Sequence, residues 1–334
     1  MVSLATVQGA TYDNVQGGPP GGKAQWKMVF EDNFDGSAVD AKKWNTSWRG
    51  DNAPSGGRYW MGKQDSYYGD GNIQVKSGNM ELITRRESPA VSPLSKYTTG
   101  VLQSLSKYEF TFGYMEARVK VPAGKGLWGA FWAISTVMYD WPPEIDVFED
   151  PYPDWNNSCM YQTWHPVGTD QVQRIVKSTE DPWNISGTEW GKTDGAGWTG
   201  DYHIYASNWT AESLYFYIDN VQTMATKVGV ADIKNRKMYL LFDMITVGGW
   251  GNPVDETTPL PATMYTDWVR VWQKGATGIS GRPASLRNRT LTCGYNVLRR
   301  TLDIQGLAGH SRTLVRVHDI TGRMMFSRNV DNTH

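Results

Sequence analysis

Short segments of β-branched and aromatic residues recur along this chain, and turn clusters rich in Gly, Pro and Asn separate them. Residues 115–121 alternate between apolar and charged side chains, with Glu116, Arg118 and Lys120 at the charged positions. A period of two residues is typical of a half-buried strand. Helical periodicity is hardly present, and many short strands at close spacing predict a sandwich or a barrel. The predicted strands include residues 80–85, 113–121, 127–134, 145–149, 202–207, 213–218, 238–244 and 267–273.

The composition excludes several classes of protein. The chain has 16 Trp, 17 Tyr and 9 Phe among 334 residues, and only 20% of its residues are charged. This argues against disorder, a coiled coil and a helical bundle. The net charge of −1 gives no electrostatic reason to expect nucleic acid as a partner. No apolar run approaches the roughly 18–20 residues that span a membrane, so we expect no membrane span.

A boundary near residue 275 divides the chain. All 16 Trp lie before residue 276, whereas residues 276–334 hold nine Arg, no Lys and three Asp. The segment 274–281, KGATGISG, has three Gly in eight residues and indicates a linker. We therefore predict four parts, which are a loose lead-in (1–25), the main domain (26–274), a linker (275–281) and a small β-rich segment (282–334).

Three acids interrupt an otherwise apolar strand in residues 141–150, WPPEIDVFED. Charged residues in such a setting are costly unless they pair or take part in chemistry. Glu144 and Asp146 are two positions apart and share one face, whereas Glu149 faces away in a regular strand. A β-bulge at Val147–Phe148 returns Glu149 to the shared face. A pair of glutamates at this spacing suits the two-carboxylate chemistry of a retaining glycosidase, and the alternative is a solvent-facing acidic strand.

Aromatic residues surround this acidic strand. Trp128 and Trp132 are four positions apart in GLWGAFWAI (126–134), which places both on one strand face. Downstream, YQTWHP (161–166) supplies aromatic and polar groups that suit a sugar ring. Core packing is the alternative for some of the 16 Trp. The residues predicted to bind substrate are Trp128, Trp132, Trp141, His165, Trp60, Trp164 and Arg58.

An ordered set of motifs resembles glycoside hydrolase family 16. GYMEARVKVPAGKGLWGAFWAI (113–134) is similar to the segment before the catalytic strand of that family, and EIDVFE (144–149) is similar to the bulged form of its signature. Residues 28–45, 201–220, 238–253 and 267–273 are similar to the opening, the following hairpin and the closing strands of that family. The similarity covers residues 26–274.

The resemblance implies a β-jelly-roll of two curved antiparallel sheets with a concave substrate cleft, followed by the small β-rich tail. It implies a secreted or cell-surface bacterial enzyme that acts as a monomer on a polysaccharide. Glu144 is then the nucleophile, Glu149 the acid/base, and Asp146 the residue that tunes their protonation. Residues 1–10 lack the pattern of a signal peptide, so the chain is either cytosolic or has lost its signal peptide.

The resemblance implies no cofactor for catalysis. It does imply a structural calcium held by Asp267 with the backbone of Gly78, and the alternative is an ordinary surface carboxylate. The tail weakly resembles the sorting domains that Bacteroidetes-type bacteria use for secretion. A generic small β-domain or a carbohydrate-binding appendage is the alternative for this segment.

Four functions remain open at this point. The first is an endo-acting retaining hydrolase of β-1,3- or mixed β-1,3-1,4-glucan, because residues 126–134 and 247–272 look most like bacterial glucanases. The second is an endo-hydrolase of a red-algal galactan, which is agarose, porphyran or κ-carrageenan. A sulfated galactan favours a basic cleft, and residues 1–275 carry a net charge of −7. A transglycosylase uses the same acids, whereas a lectin-like binding module needs no acid pair at bulge spacing.

Overall fold

The structure is a computed structural model that divides into two compact units, Met1–Ala276 and Thr277–His334. It describes residues 17–47, 66–88, 96–137, 141–151, 159–177, 197–199, 201–246, 253–275, 292–296, 301–305, 313–318 and 324–330. These residues form strands, turns and short 3₁₀ segments, and none of them is in an α-helix. The all-β prediction is therefore confirmed for the part of the chain that the structure describes.

The first unit contains sixteen strands. In chain order they are β1 (Trp26–Asp32), β2 (Ser66–Tyr68), β3 (Ile73–Lys76), β4 (Asn79–Arg86), β5 (Tyr97–Thr99), β6 (Val101–Gln103), β7 (Gly113–Lys120), β8 (Leu127–Ser135), β9 (Glu144–Asp150), β10 (Cys159–His165), β11 (Val172–Lys177), β12 (His203–Trp209), β13 (Leu214–Ile218), β14 (Val221–Thr226), β15 (Met238–Thr246) and β16 (Ala262–Lys274).

The strands form two sheets. The larger sheet has ten strands in the order β14-β13-β12-β7-β16-β4-β5-β2, with β1 paired to β16 and β3 paired to β4. The smaller sheet has six strands in the order β11-β10-β9-β8-β15-β6. The acidic strand β9 therefore lies inside the smaller sheet, between β8 and β10. Its neighbours on both sides pair with it, which fixes the direction of its side chains.

The main core lies between the two sheets. Alternate residues of each strand point into it, as the period of two predicts. Phe131 of β8 and Phe242 of β15 stack there with ring centroids 4.4 Å apart, and Phe148 of β9 meets Tyr205 of β12 across the sheets at 4.2 Å. This packing anchors β9 from the side opposite to its acids.

Glu116 corrects one detail of the alternation argument. The apolar residues of β7 do face the main core, but Glu116 on the other face is fully buried and not solvated. The indole of Trp272 donates a hydrogen bond to one carboxylate oxygen at 2.7 Å, and the backbone N–H of Gly18 donates to the other at 2.8 Å. Residues 17–19 of the predicted loose lead-in therefore lie over the outer face of the larger sheet.

The second unit contains two separate hairpin-like pairs of strands. They are β17 (Thr292–Asn296) with β18 (Thr301–Gln305), and β19 (Thr313–His318) with β20 (Met324–Val330). Both pairs are antiparallel. Among the residues that the structure describes, no helix is long and apolar enough to cross a membrane.

Candidate active site

A β-bulge in β9 brings the three acids to one face of the smaller sheet. Phe148 pairs with Phe131 of β8, but the next pair joins Asp146 to Trp132, so Val147 is an extra residue. Val147 and Phe148 both belong to the main core, which is possible only because the alternation is interrupted between them. The carbonyl of Val147 accepts a hydrogen bond from the Gln162 side chain at 3.0 Å. The predicted bulge is therefore confirmed.

His165 connects the acids to the neighbouring strand β10. Its backbone pairs with Glu144, and its Nε2 atom lies 3.1 Å from Asp146 Oδ2 and 3.6 Å from Glu144 Oε1. Asp146 is only 3% exposed, whereas Glu144 is partly accessible. The imidazole thus lies beside two carboxylates whose burial calls for a polar or cationic partner.

Burial raises the pKa values of all three acids. For Glu144, the charges of Asp146 and Glu149 raise the pKa further, whereas His165 and a hydrogen bond from Trp141 lower it. For Glu149, burial raises the pKa to about 7, against hydrogen bonds from Trp128 and Thr163. Closely spaced carboxylates cannot all ionise at neutral pH, so the cluster retains at least one proton.

Three of the predicted tryptophans lie around the acids. Trp128 and Trp132 share the acid-bearing face of β8, and the Trp128 side chain hydrogen-bonds to Glu149. Trp141 is 57% exposed, and its ring lies 5.6 Å from the His165 ring. An exposed indole held beside His165 offers a flat apolar surface to a ligand.

Trp164 corrects the prediction for YQTWHP. Trp164 lies next to His165 on β10, and adjacent residues of a strand point to opposite faces. Trp164 is therefore fully buried in the main core. Its indole donates a hydrogen bond to the Val228 carbonyl at 2.7 Å. Trp164 is a packing residue, and the remaining predicted positions, Arg58 and Trp60, lie outside the residues that the structure describes.

Asp243 is a fourth acid on this face that the sequence analysis did not select. It lies in β15, is 4% exposed, and accepts hydrogen bonds from Tyr68 Oη at 2.6 Å and from Trp132 Nε1 at 3.0 Å. The signal was present, because Asp243 is the only charged residue in the apolar segment 238–246. A charged residue in an otherwise apolar strand was the reason for selecting Glu144, and the same reason applies to Asp243.

Asp267, the predicted calcium ligand, has a protein cation as its partner. It is the extra residue of a bulge in β16, and its Oδ2 atom lies 2.8 Å from Nη1 of Arg118. Calcium prefers six to eight oxygen ligands, and a guanidinium beside the carboxylate opposes a second cation. These residues do not fit the expected calcium well, and the site stays a prediction.

One group of residues in the described part of the chain has the geometry for a metal ion. Glu144, Asp146 and His165 offer ligand atoms that all lie within 4.8 Å of one another. These are the same residues that the sequence analysis selected as acids and a substrate-binding histidine.

Comparison with known proteins gives a consistent family. Residues 26–274 match the profile described as "Beta-porphyranase A-D, GH16 domain". Glucan endo-1,3-beta-glucosidase A1 of Niallia circulans is 24% identical, and the alignment covers 75% of this chain and 38% of that protein. Beta-porphyranase B of Zobellia galactanivorans is 25% identical, with 75% and 85% covered.

The solved structures agree with this result. The catalytic domain of an endo-1,3-beta-glucanase (laminarinase) from Thermotoga petrophila is 25% identical, with a TM-score of 0.60. That alignment covers 75% of this chain and 98% of the Thermotoga chain. The chain spans only 35% to 55% of the length of six of its curated relatives.

Proposed function

The chain belongs to the GH16 glycoside hydrolases, in the family described as "Beta-porphyranase A-D, GH16 domain", and on that premise we propose that it cleaves a β-linked polysaccharide internally with retention of configuration. One observation carries the proposal. Glu144, Asp146 and Glu149 share one face of a bulged strand inside a sheet, with His165 and exposed Trp141 beside them. Two carboxylates on one face are the chemical requirement of this reaction.

The reaction has two displacements. Glu144, ionised with help from His165 and Trp141, attacks the anomeric carbon, while Glu149 donates its proton to the departing glycosidic oxygen. The C–O bond to the leaving chain breaks as the bond to Glu144 forms. Glu149, now ionised, then removes a proton from water, whose oxygen displaces Glu144 and leaves Glu149 protonated again.

The first substrate candidate is a β-1,3- or mixed β-1,3-1,4-glucan. It is supported by the likeness to the Thermotoga laminarinase and to the Niallia glucanase. The second candidate is a red-algal galactan, and a specific observation favours it, since the matching profile is that of β-porphyranases. We further propose that the protein is secreted, since a polysaccharide cannot enter a cell to reach the enzyme. We also propose that it acts as a monomer.

The test is the release of reducing ends from laminarin, barley glucan, agarose, porphyran and κ-carrageenan, with Glu144→Gln as the matched control. We expect activity on a glucan, and activity on the galactans alone would select the second candidate. Proton NMR in the first minutes shows which anomer forms first. The β-anomer is expected, and an initial excess of the α-anomer would overturn the retaining mechanism.

A further inference from the structure

Asp243 is a buried acid that neither attacks the substrate nor donates a proton in the proposed reaction. Both of its carboxylate oxygens accept a hydrogen bond, from Tyr68 Oη at 2.6 Å and from Trp132 Nε1 at 3.0 Å. Two donors directed at one carboxylate stabilise its ionised form. The side chain therefore carries a negative charge in an aromatic environment, which is a costly arrangement for packing alone.

The strand register places Asp243 in line with the acid catalyst. Ala130 of β8 pairs with Glu149 on one side and with Asp243 on the other. Residues directly opposite in antiparallel strands share one face, and adjacent strands are about 4.8 Å apart. The Cα atoms of Glu149 and Asp243 are thus roughly 10 Å apart, and only the small side chain of Ala130 stands between them on that face.

We propose that Asp243 is a positioning residue whose fixed negative charge keeps the proton on Glu149 until the glycosidic oxygen takes it. The same carboxylate fixes the indole of Trp132 on the acid-bearing face of β8. This inference rests on the proposed function, because it gives Glu149 the role of the acid. Asp243 touches neither substrate nor reacting atoms and acts only through Glu149 and Trp132.

The titratable groups around the two acids come from four strands. They are Glu144 and Asp146 on β9, His165 and Tyr161 on β10, Tyr239 on β15 itself and Tyr68 on β2. His165 lowers the pKa of Glu149, whereas Asp243 raises it. Asp243 also raises the pKa of Asp146, so its charge acts on two of the three acids of β9.

Both carboxyls titrate near neutral pH. Burial raises the pKa of Asp243 to about 6, against the hydrogen bonds from Tyr68 and Trp132. Burial raises the pKa of Glu149 to about 7. The charge on Asp243 therefore changes in the same pH range as the proton on Glu149, and a pH profile can detect the coupling.

The test is the pH profile of kcat/KM for Asp243→Asn in the full chain. The amide is isosteric, the Trp132 indole can still donate to its oxygen, and the Tyr68 hydroxyl can reverse its role and accept from its nitrogen. We expect the alkaline limb to move to lower pH by about one unit, because a unit charge at this distance is removed. At pH 8 kcat/KM is then about tenfold lower than in the wild type, against about twofold lower at pH 6.

A control variant separates the charge at this position from the loss of a carboxylate elsewhere. Asp219→Asn makes the same chemical change at a carboxylate 2.7 Å from His203 Nδ1, and its alkaline limb should stay in place. A merely structural role of Asp243 lowers kcat/KM equally at every pH.

An unmoved alkaline limb in a folded Asp243→Asn variant would overturn the inference. If that variant does not fold, carboxyl ¹³C NMR of the wild-type protein gives the answer, because Glu149 must show a second inflection where Asp243 titrates, near pH 6. A single inflection also overturns it. Retained activity in Glu149→Gln would instead overturn the proposed function, so the two failures are distinct.

Discussion

The Nε2 atom of His165 lies 3.1 Å from Oδ2 of Asp146, on the strand next to the acids. The two residues are 19 positions apart in the chain, and the pairing of β9 with β10 brings them together. Because the same nitrogen is 3.6 Å from Glu144 Oε1, one imidazole serves both the central acid and the nucleophile. It stabilises the ionised form of Glu144, which burial and the other acids oppose.

Replacing the nucleophile should abolish hydrolysis and leave the fold intact. For Glu144→Gln we expect a loss of at least about 10³-fold in kcat, since no covalent intermediate forms. The variant also removes one of three repelling carboxylates, so the Tm should stay equal to that of the wild type or rise. Reducing-end assays and thermal unfolding measure both quantities. Substantial activity in this variant would refute the assignment of Glu144.

Trp141 and Trp164 should respond in opposite ways to truncation. Trp141 is 57% exposed beside His165, so Trp141→Ala should raise KM several-fold and barely change the Tm. Trp164 is fully buried, so Trp164→Ala should cost about 3–5 kcal/mol of stability. Kinetics together with urea unfolding separate the two. Equal effects of both substitutions on stability would contradict the orientation described for β10.

Deleting Val147 tests the bulge. The deletion leaves Phe148 opposite Phe131 and Asp146 opposite Trp132, now as consecutive pairs of a regular ladder. Glu144 and Glu149 are then four positions apart and remain on one face, so measurable activity should persist with a lower Tm. Inserting one alanine after Val147 is the matched control. It displaces one acid relative to the other and should cost about 100-fold or more in kcat.

Stability should fall as the pH rises through the titration of Glu149. Its pKa is about 7 in the folded protein and about 4.3 in an unfolded chain, so the folded state binds the extra proton between these values. The stabilisation is present below about pH 4 and is lost by about pH 7. Glu149→Gln should remove this part of the pH dependence in urea unfolding. The exposed Glu256→Gln is the control, and a steeper fall in Glu149→Gln would refute the raised pKa.

Removal of calcium should leave the Tm unchanged, because Arg118 already neutralises Asp267. Dialysis against EDTA and differential scanning fluorimetry make the comparison, with and without added CaCl₂. Arg118→Met is the informative variant, since it frees the carboxylate and should lower the Tm whether or not calcium is present. If EDTA lowers the Tm, and CaCl₂ but not MgCl₂ restores the original Tm, the result would support the calcium site.

The strands and the bulge could be predicted because they depend on local patterns. The alternation in residues 115–121 reports directly which side chains of β7 face the core. The sequence EIDVFE likewise requires an extra residue, since three acids and three apolar side chains must separate onto two faces of one strand. These conclusions need no knowledge of the partner strands.

The errors have one physical cause, which is that neighbours across the sheet are distant in sequence. The sequence predicts that Trp164 and His165 both bind substrate, but β10 directs Trp164 into the main core and His165 toward the acids. The alternation predicts a solvated Glu116, but Trp272 and Gly18 donate hydrogen bonds to its carboxylate and bury it. Asp243 met the criterion of a charge in an apolar strand, but only the pairing through Ala130 relates it to Glu149.

The sequence by itself determined the all-β class, the acidic strand and the resemblance to family 16, since alternation and residue spacing are local properties. The tertiary structure decided which aromatic rings face the acids, which carboxyls have raised pKa values and which carboxylate pairs with Arg118. Burial and the approach of charges from other strands determine these properties, and both depend on contacts between residues as far as 175 positions apart.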